Sequence, residues 1–320
     1  MVHSLTPQII GLDWGTSSLR AYLIADGGTV LECRSRPWGI QHVPDGDFAK
    51  ALSDTIGDWQ ATPAGLPIIA SGMIGSREGW REVPYTPCPA DPSTLAAGLL
   101  TVEAGNGCVH LVPGVIQEGT FPNVMRGEET QILGALAGDP QLAGLSLVVL
   151  PGTHCKWVFV RNGLIASFST HMTGELFAIL REHSILGRPA REATPQKSDM
   201  AFLLGLRAAR DAAAEGLSAR LFSARSLFLT GELPAEHTLE YLSGLLIGEE
   251  IRSALATSHP ASLPPIVLIG ERGLCSRYQT SLAEFGLQGV RVLEDTAPLG
   301  LWRIAQAHGL VQSAPNPQAA

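Results

Sequence analysis

Charged residues are scarce in this chain, at 16% of 320 positions, and acidic residues outnumber basic ones by 30 to 22. A net charge of −8 excludes functions that rest on nonspecific attraction to a nucleic-acid backbone, because that attraction needs clustered Lys and Arg. No nucleic-acid partner is expected. Cysteine is sparse too. Cys33, Cys88, Cys108, Cys155 and Cys275 are odd in number and contain no C-x-x-C pair, which argues against a disulfide or zinc framework and for free thiols in a reducing cytoplasm. No apolar run reaches membrane-spanning length, and residues 1–7 lack a basic segment leading into an apolar one. The expectation is a soluble, cytoplasmic protein without a membrane partner. Three nucleotide motifs are also missing: G-x-x-x-x-G-K-[ST], G-x-G-x-x-G after a strand, and an H-R-D with D-F-G pair. P-loop, Rossmann and protein-kinase chemistry therefore have no support.

Hydrophobic residues are plentiful, at 45%, and 320 residues suit two cores better than one. The most informative stretch is Ile9 to Ile24, where an apolar run ends on Asp13, a Gly15-Thr16-Ser17-Ser18 segment turns the chain, and a second apolar run leads away. This reads as a strand, a tight turn and a returning strand. Glycine permits close backbone approach, and successive N–H groups with Thr and Ser hydroxyls form a concave donor surface for phosphate oxygens. Asp13 then stands where a phosphate-bound Mg2+ would need a carboxylate, and one acid suffices because Mg2+ keeps several waters. Leu147 to Val160 repeats the plan around Gly152-Thr153, with His154 and Lys156 able to reach phosphate. The two Gly-Thr turns lie 152 − 15 = 137 positions apart, close to half the chain. Two such hairpins could hold a polyphosphate between two similar halves.

Between and beyond these hairpins, periodicity places further elements. Thr29–Ser35 reads as a third strand, Asp47–Gln60 as a helix, Leu66–Ala70 as a buried strand and Cys108–Val112 as another strand. The segment 71–80 follows a strand directly, the usual place for ligands in α/β sheets, and supplies Ser71 and Arg77. Arg77 could equally pair with Glu78 or Glu82 on the surface. Pro84 to Pro89 reads as a proline-rich surface connector that cannot be helical. A helix over 127–137 opens with Glu128 and Glu129, which on position alone could simply favour the helix dipole. Further on, 163–170 reads as a strand and 173–182 as a helix. In 197–214 the residues Met200, Phe202, Leu203, Leu206 and Ala209 form an apolar helical face for core or subunit contact, which leaves a homodimer open. Gly244 and Gly248 in a helix over 239–255 predict close packing, with a helix of the first domain as the expected neighbour. Ile266–Gly270 is a strand running into Gly and a helix, 290–294 a final strand, and 297–308 a final helix. The segment 313–320 reads as a disordered tail.

The paired hairpins with Ile266–Gly270 resemble the superfamily of actin, hexokinase and Hsp70. More specifically, Asp13–Arg20, Ser71–Trp80, Pro84-Tyr85, Arg126–Gln131, Gly152–Trp157 and Met172–Phe177 resemble the 2-dehydro-3-deoxygalactonokinase family over residues 9 to roughly 300. The resemblance implies an α/β fold of two ribonuclease-H-like, actin-like ATPase domains with an ATP and substrate cleft between them. It places a sugar-binding domain at 1–142 and a nucleotide-binding domain at 143–312. It implies a kinase that uses ATP and Mg2+ to phosphorylate the 6-hydroxyl of 2-dehydro-3-deoxy-D-galactonate, in galactonate catabolism. Asp13 would organise the metal, and Gly15, Thr16, Ser17, Ser18, Gly152, Thr153, His154 and Lys156 would hold phosphates. Gly270 would let adenine and ribose lie against the backbone. Either Glu128 or Glu129 would accept the hydroxyl proton, and Ser71, Arg77, Tyr85 and Arg126 would bind the sugar acid. Arg77 and Arg126 are the candidates for its carboxylate, since a guanidinium offers a bidentate fork. A kinase of another sugar or acid, such as the gluconate epimer, and a non-catalytic ATP-operated regulator on the same scaffold are the rival readings.

Overall fold

The structure, a computed structural model, describes residues 5–60, 65–105, 107–212, 215–257 and 263–312. The tail expected at 313–320 lies outside them. The chain begins with β1 (Pro7–Trp14), β2 (Leu19–Ala25) and β3 (Val30–Arg36), followed by α1 (Phe48–Ile56) and β4 (Ile68–Ser71). Next come β5 (Thr86–Pro87), α2 (Pro92–Ala97), β6 (Leu100–Ala104), β7 (Gly107–Leu111), β8 (Val115–Gln117), β9 (Asn123–Met125) and α3 (Glu128–Gly138). β1 is the centre of the first sheet because Ile9, Ile10, Leu12 and Trp14 are all withdrawn from water, so both of its faces need cover. It pairs antiparallel with β2, setting Asp13 opposite Arg20, and parallel with β4, setting Asp13 beside Ser71. The full order is β3-β2-β1-β4-β7-β6. α1 starts where the Asp47 side chain accepts from the Lys50 N–H, and it buries Ala51, Leu52 and Ile56 in the core of this sheet.

The proline-rich segment is more than a surface connector. β5 within it pairs with β8, and β5-β8-β9 form a small third sheet. Proline is tolerated there because the strand is short and at an edge.

The second main sheet contains β10 (Leu145–Leu150), β11 (Cys155–Arg161), β12 (Leu164–His171), β13 (Ile266–Ile269) and β14 (Arg291–Leu293), in the order β12-β11-β10-β13-β14. A four-residue turn joins β10 to β11, which only antiparallel neighbours permit. β10, β13 and β14 are parallel. Counting from each sheet's first strand, both sheets therefore share the order 3-2-1-4-5, the first with β6 added at its edge. This is the duplicated α/β plan of the actin-like ATPase fold. Between β12 and β13 run α4 (Thr173–His183), α5 (Arg188–Glu192), α6 (Asp199–Arg210), α7 (Leu217–Leu229) and α8 (Thr238–Thr257). α9 (Arg272–Glu284) follows β13, and α10 (Ala297–His308) closes the described chain.

Contacts divide the chain into two units. The first comprises residues 1–146, 158–168 and 295–320, the second 147–157 and 169–294. α10 thus groups with the first unit, where it packs on α3: a Cβ on Gly134 would collide with the Thr296 carbonyl, and one on Gly300 with that of Thr130. In the second unit α6 and α8 pack equally closely. Gly244 and Gly248 face Phe202, Leu206 and Ala209 of α6, so their neighbour is a helix of their own unit and not one of the first domain. Phe202, Leu206 and Ala209 are buried as expected, whereas Met200 is 84% exposed, one position too early to reach the α8 contact.

Candidate active site

In the first unit, three chain segments converge at the C-terminal end of the central strands. Asp13 is the last residue but one of β1, Ser71 ends β4 beside it in parallel register, and Gly127 opens α3. Two glycines make this convergence possible. Gly72 has φ +97 and stands so close to β1 that a Cβ would meet the Trp14 carbonyl oxygen at 2.8 Å. Gly127 has φ +108, and its Cβ would lie 3.2 Å from the Gly72 Cα. Only a residue without a Cβ fits this backbone stack, which carries the start of α3 to the tip of β1.

Asp13 is fixed by Arg20, whose Nη2 donates to Oδ2 at 2.6 Å, and burial raises the Asp13 carboxyl above its usual range despite that cation. Arg20 also faces Asp295 at 3.9 Å. The Ser71 hydroxyl is buried without a hydrogen-bond partner. Beside Asp13, the turn is closed by the Gly15 N–H donating to the Ser18 carbonyl, and Thr16, Ser17 and Ser18 are exposed. Gly39 lies against this turn, and Ile40 and Gln41 donate to the carbonyls of Gly15 and Thr16.

The two glutamates part company in the structure. Glu128 is half-buried, and its Oε2 accepts the Arg126 backbone N–H at 3.0 Å. Glu129 is fully buried. Its Oε2 accepts the Gly127 N–H at 2.7 Å and its Oε1 the Thr130 hydroxyl at 3.1 Å. Burial, reinforced by the neighbouring Glu128 charge, pushes the Glu129 carboxyl up to about 8.

The two arginines separate as well. Arg77 is 86% exposed and faces Glu82 at 3.6 Å, a solvated surface pair. Arg126 instead spans the loop after β4: Nη2 donates to the Val83 carbonyl at 2.8 Å, the guanidinium lies 4.4 Å from the Tyr85 ring centroid, and Nη1 packs against Gly75. Its Nε and Nη1 are buried without hydrogen-bond partners, as is the Ser76 hydroxyl in the same loop. Buried donors left unpaired are costly, and a cluster of them that contains a cation suits an anionic group.

In the second unit, the Gly152-Thr153 turn lies against the N-terminus of α4. The Glu175 N–H donates to the Thr153 carbonyl, and a Cβ on Gly174 would collide with Gly152. His154 pairs with Glu175. Lys156 is buried on β11 and not displayed in the turn; its Nζ donates to the Thr170 hydroxyl at 3.2 Å. Gly152, Thr153, Thr173 and Gly174 are among the residues lining a cavity of about 690 Å³. A turn and a helix N-terminus together favour negative charge there. Gly270 is not among the lining residues; it lies between Cys275 and the Pro151 carbonyl. A further part of the cavity lining was not anticipated from the sequence. It is formed by Glu240, Ser243 and Ile247 of α8 with Leu274, Arg277 and Tyr278 of α9. The 240, 243, 247 spacing is a helical stripe, but one of mixed polarity, so it does not stand out as a core face. Among the described residues no group of three or more His, Cys, Asp or Glu could hold a metal, and no helix is long and apolar enough to cross a membrane.

Known proteins are similar to this chain in sequence and structure. The family model described as 2-keto-3-deoxy-galactonokinase matches residues 13–304. The 2-dehydro-3-deoxygalactonokinase of Escherichia coli (strain K12) is 37% identical over 305 residues, covering 95% of this chain and 99% of the relative. A Rhizobium meliloti (strain 1021) protein named "Probable 2-dehydro-3-deoxygalactonokinase DgoK1" is 38% identical over 288 residues, covering 89% and 92%. The crystal structure of a Sinorhizobium meliloti protein, provisionally described as a 2-dehydro-3-deoxygalactonokinase, superposes with a TM-score of 0.85 at 37% identity, covering 93% of this chain and 98% of that one. With a family model matching residues 13–304, the chain belongs to the 2-keto-3-deoxy-galactonokinase family.

Proposed function

We propose that this protein is a cytoplasmic kinase that transfers the γ-phosphoryl group of ATP to the 6-hydroxyl of 2-dehydro-3-deoxy-D-galactonate, a step of galactonate catabolism. The observation that carries the reading is Glu129, a carboxyl shielded from water at the junction where Asp13, Ser71 and Gly127 meet, with its affinity for protons raised to near neutrality. Such a group is matched to accept a proton from a hydroxyl, because a general base works best when its pKa lies close to the working pH. Glu128, with an oxygen committed to the Arg126 N–H, is then the residue that fixes the strand-to-helix junction.

The acceptor's carboxylate belongs at Arg126, whose Nε and Nη1 are buried without hydrogen-bond partners, with Ser71 and Tyr85 beside the same loop. Arg77 is left as a surface residue. ATP belongs in the cavity of the second unit, its phosphates toward Gly152-Thr153 and the start of α4. The division into a sugar side at 1–142 and a nucleotide side at 143–312 remains the proposed domain scheme. Mg2+ is compatible with the residues present, since one oxygen of Asp13 is engaged by Arg20 and a single further carboxylate oxygen is all that a mostly hydrated Mg2+ requires. Bound there, it would neutralise charge on the transferring phosphoryl group; the protein's own share is positioning and a dry base. A coupled assay of ADP release tests the function across 2-dehydro-3-deoxygalactonate, its gluconate epimer and neutral hexoses. Turnover of the galactonate substrate well above the others is expected, and preference for a neutral hexose would refute the reading.

A further inference from the structure

The cavity of the second unit is also lined by an arginine held by three partners. Arg277 Nη1 donates to Glu240 Oε2 at 2.9 Å and Nη2 to the Ser243 hydroxyl at 3.0 Å, both on α8. One face of its guanidinium lies over the Phe202 ring of α6, 4.2 Å from the centroid. The side chain nevertheless keeps 31% of its surface exposed and lines the cavity. With two nitrogens bonded and one face covered, what remains uncommitted is the opposite face of the planar cation and its Nε. Leu246, Ile247 and Leu274 add apolar lining to the same cavity. A guanidinium is weakly hydrated and stacks on π-systems, and here its long side chain is already immobilised before any ligand arrives.

We propose that Arg277 is the platform on which the nucleotide's base stacks, that Glu240 and Ser243 are its positioning residues, and that the platform makes the site prefer purines. Two fused rings overlap a guanidinium plane more fully than one. Phosphates then extend toward Gly152-Thr153, which line the same cavity. The inference rests on the kinase reading only in taking the ligand to be a nucleotide.

Calorimetric titration of the full chain with ADP, CDP and inorganic tripolyphosphate, run beside the kinase assay, tests it. Wild type binds ADP more tightly than CDP. Arg277→Ala weakens ADP by about three- to thirtyfold and removes the preference over CDP. Arg277→Lys keeps the charge but not the plane, so it leaves tripolyphosphate affinity as in wild type while losing the base preference. Ser243→Ala frees one nitrogen of the guanidinium while leaving its charge in place, and gives a smaller loss of the same preference. The proposal is overturned if Arg277→Lys binds ADP as wild type does, if ADP and tripolyphosphate weaken together in both Arg277 variants, or if the ADP to CDP ratio does not move. An active kinase with an unmoved ratio removes the platform alone. Arg277-dependent ADP binding by a protein that phosphorylates no sugar acid supports the platform and removes the proposed function.

Discussion

Replacing Glu129 by Gln should cost activity and raise stability at alkaline pH at the same time, because both effects come from the same buried carboxyl. Its ordinary value of 4.5 is pushed up to about 8 by burial. The folded protein therefore holds a proton that the unfolded chain has released between those two values. Stability falls wherever the native state binds more protons than the unfolded one, so wild type loses stability as pH rises from about 4.5 to about 8 and levels off above that. A shift of this size corresponds to on the order of 5 kcal/mol across the window, an upper figure since the denatured chain is itself compact. Gln has nearly the same shape, still accepts the Gly127 N–H, and has no proton to lose. Glu129→Gln should thus match wild type near pH 5 and exceed it by several kcal/mol near pH 9, measured by urea unfolding at both pH values. Turnover should drop by about a hundred- to ten-thousandfold, and the rise of wild-type kcat through an apparent pKa near 8 should vanish. An active Glu129→Gln enzyme with an unchanged pH profile would refute the assignment, and Glu128→Gln would become the variant to examine. A variant that gains no alkaline stability would show that the carboxyl is not withheld from water as the structure describes.

Arg126→Ala should raise the KM for the sugar acid about ten- to a hundredfold, the range for losing a hydrogen bond to a charged group, whereas Arg77→Ala, removing an exposed pair, should change it less than about threefold. Steady-state kinetics on both variants decide this, and equal effects would count against the division. Asp13→Asn should lower turnover by orders of magnitude with little change in the thermal melt; near-normal turnover at low magnesium would remove Asp13 from metal binding. Gly244→Ala should lower stability by about 1–3 kcal/mol or more, because its Cβ would press on the Phe202 carbonyl, while Gly144→Ala, with nothing within 4 Å, should be nearly neutral in the same melt.

The sequence by itself determined the parts of this protein that are local. The 9–24 and 147–160 hairpins are written as apolar runs around a Gly-Thr turn, and strand period and turn chemistry need no tertiary partner to be read. The duplicated plan follows from their half-chain spacing, and the helix opening at Glu128 from its flanking glycine and acids. Tertiary structure decided everything that depends on which side chains are dried together. Glu128 and Glu129 are chemically identical neighbours, and only the packing of α3 buries one and half-exposes the other. Arg77 and Arg126 are equally good guanidiniums in sequence, yet one reaches solvent and the other closes a loop 43 residues away at Val83. Lys156 looked like a turn cation until β11 was seen to carry it inward. Arg277, Glu240, Ser243 and Phe202 come from three helices, so no window of the sequence contains the platform they make. Burial and convergence are properties of long-range packing, and a one-dimensional pattern carries period and propensity but not the neighbour that removes the water.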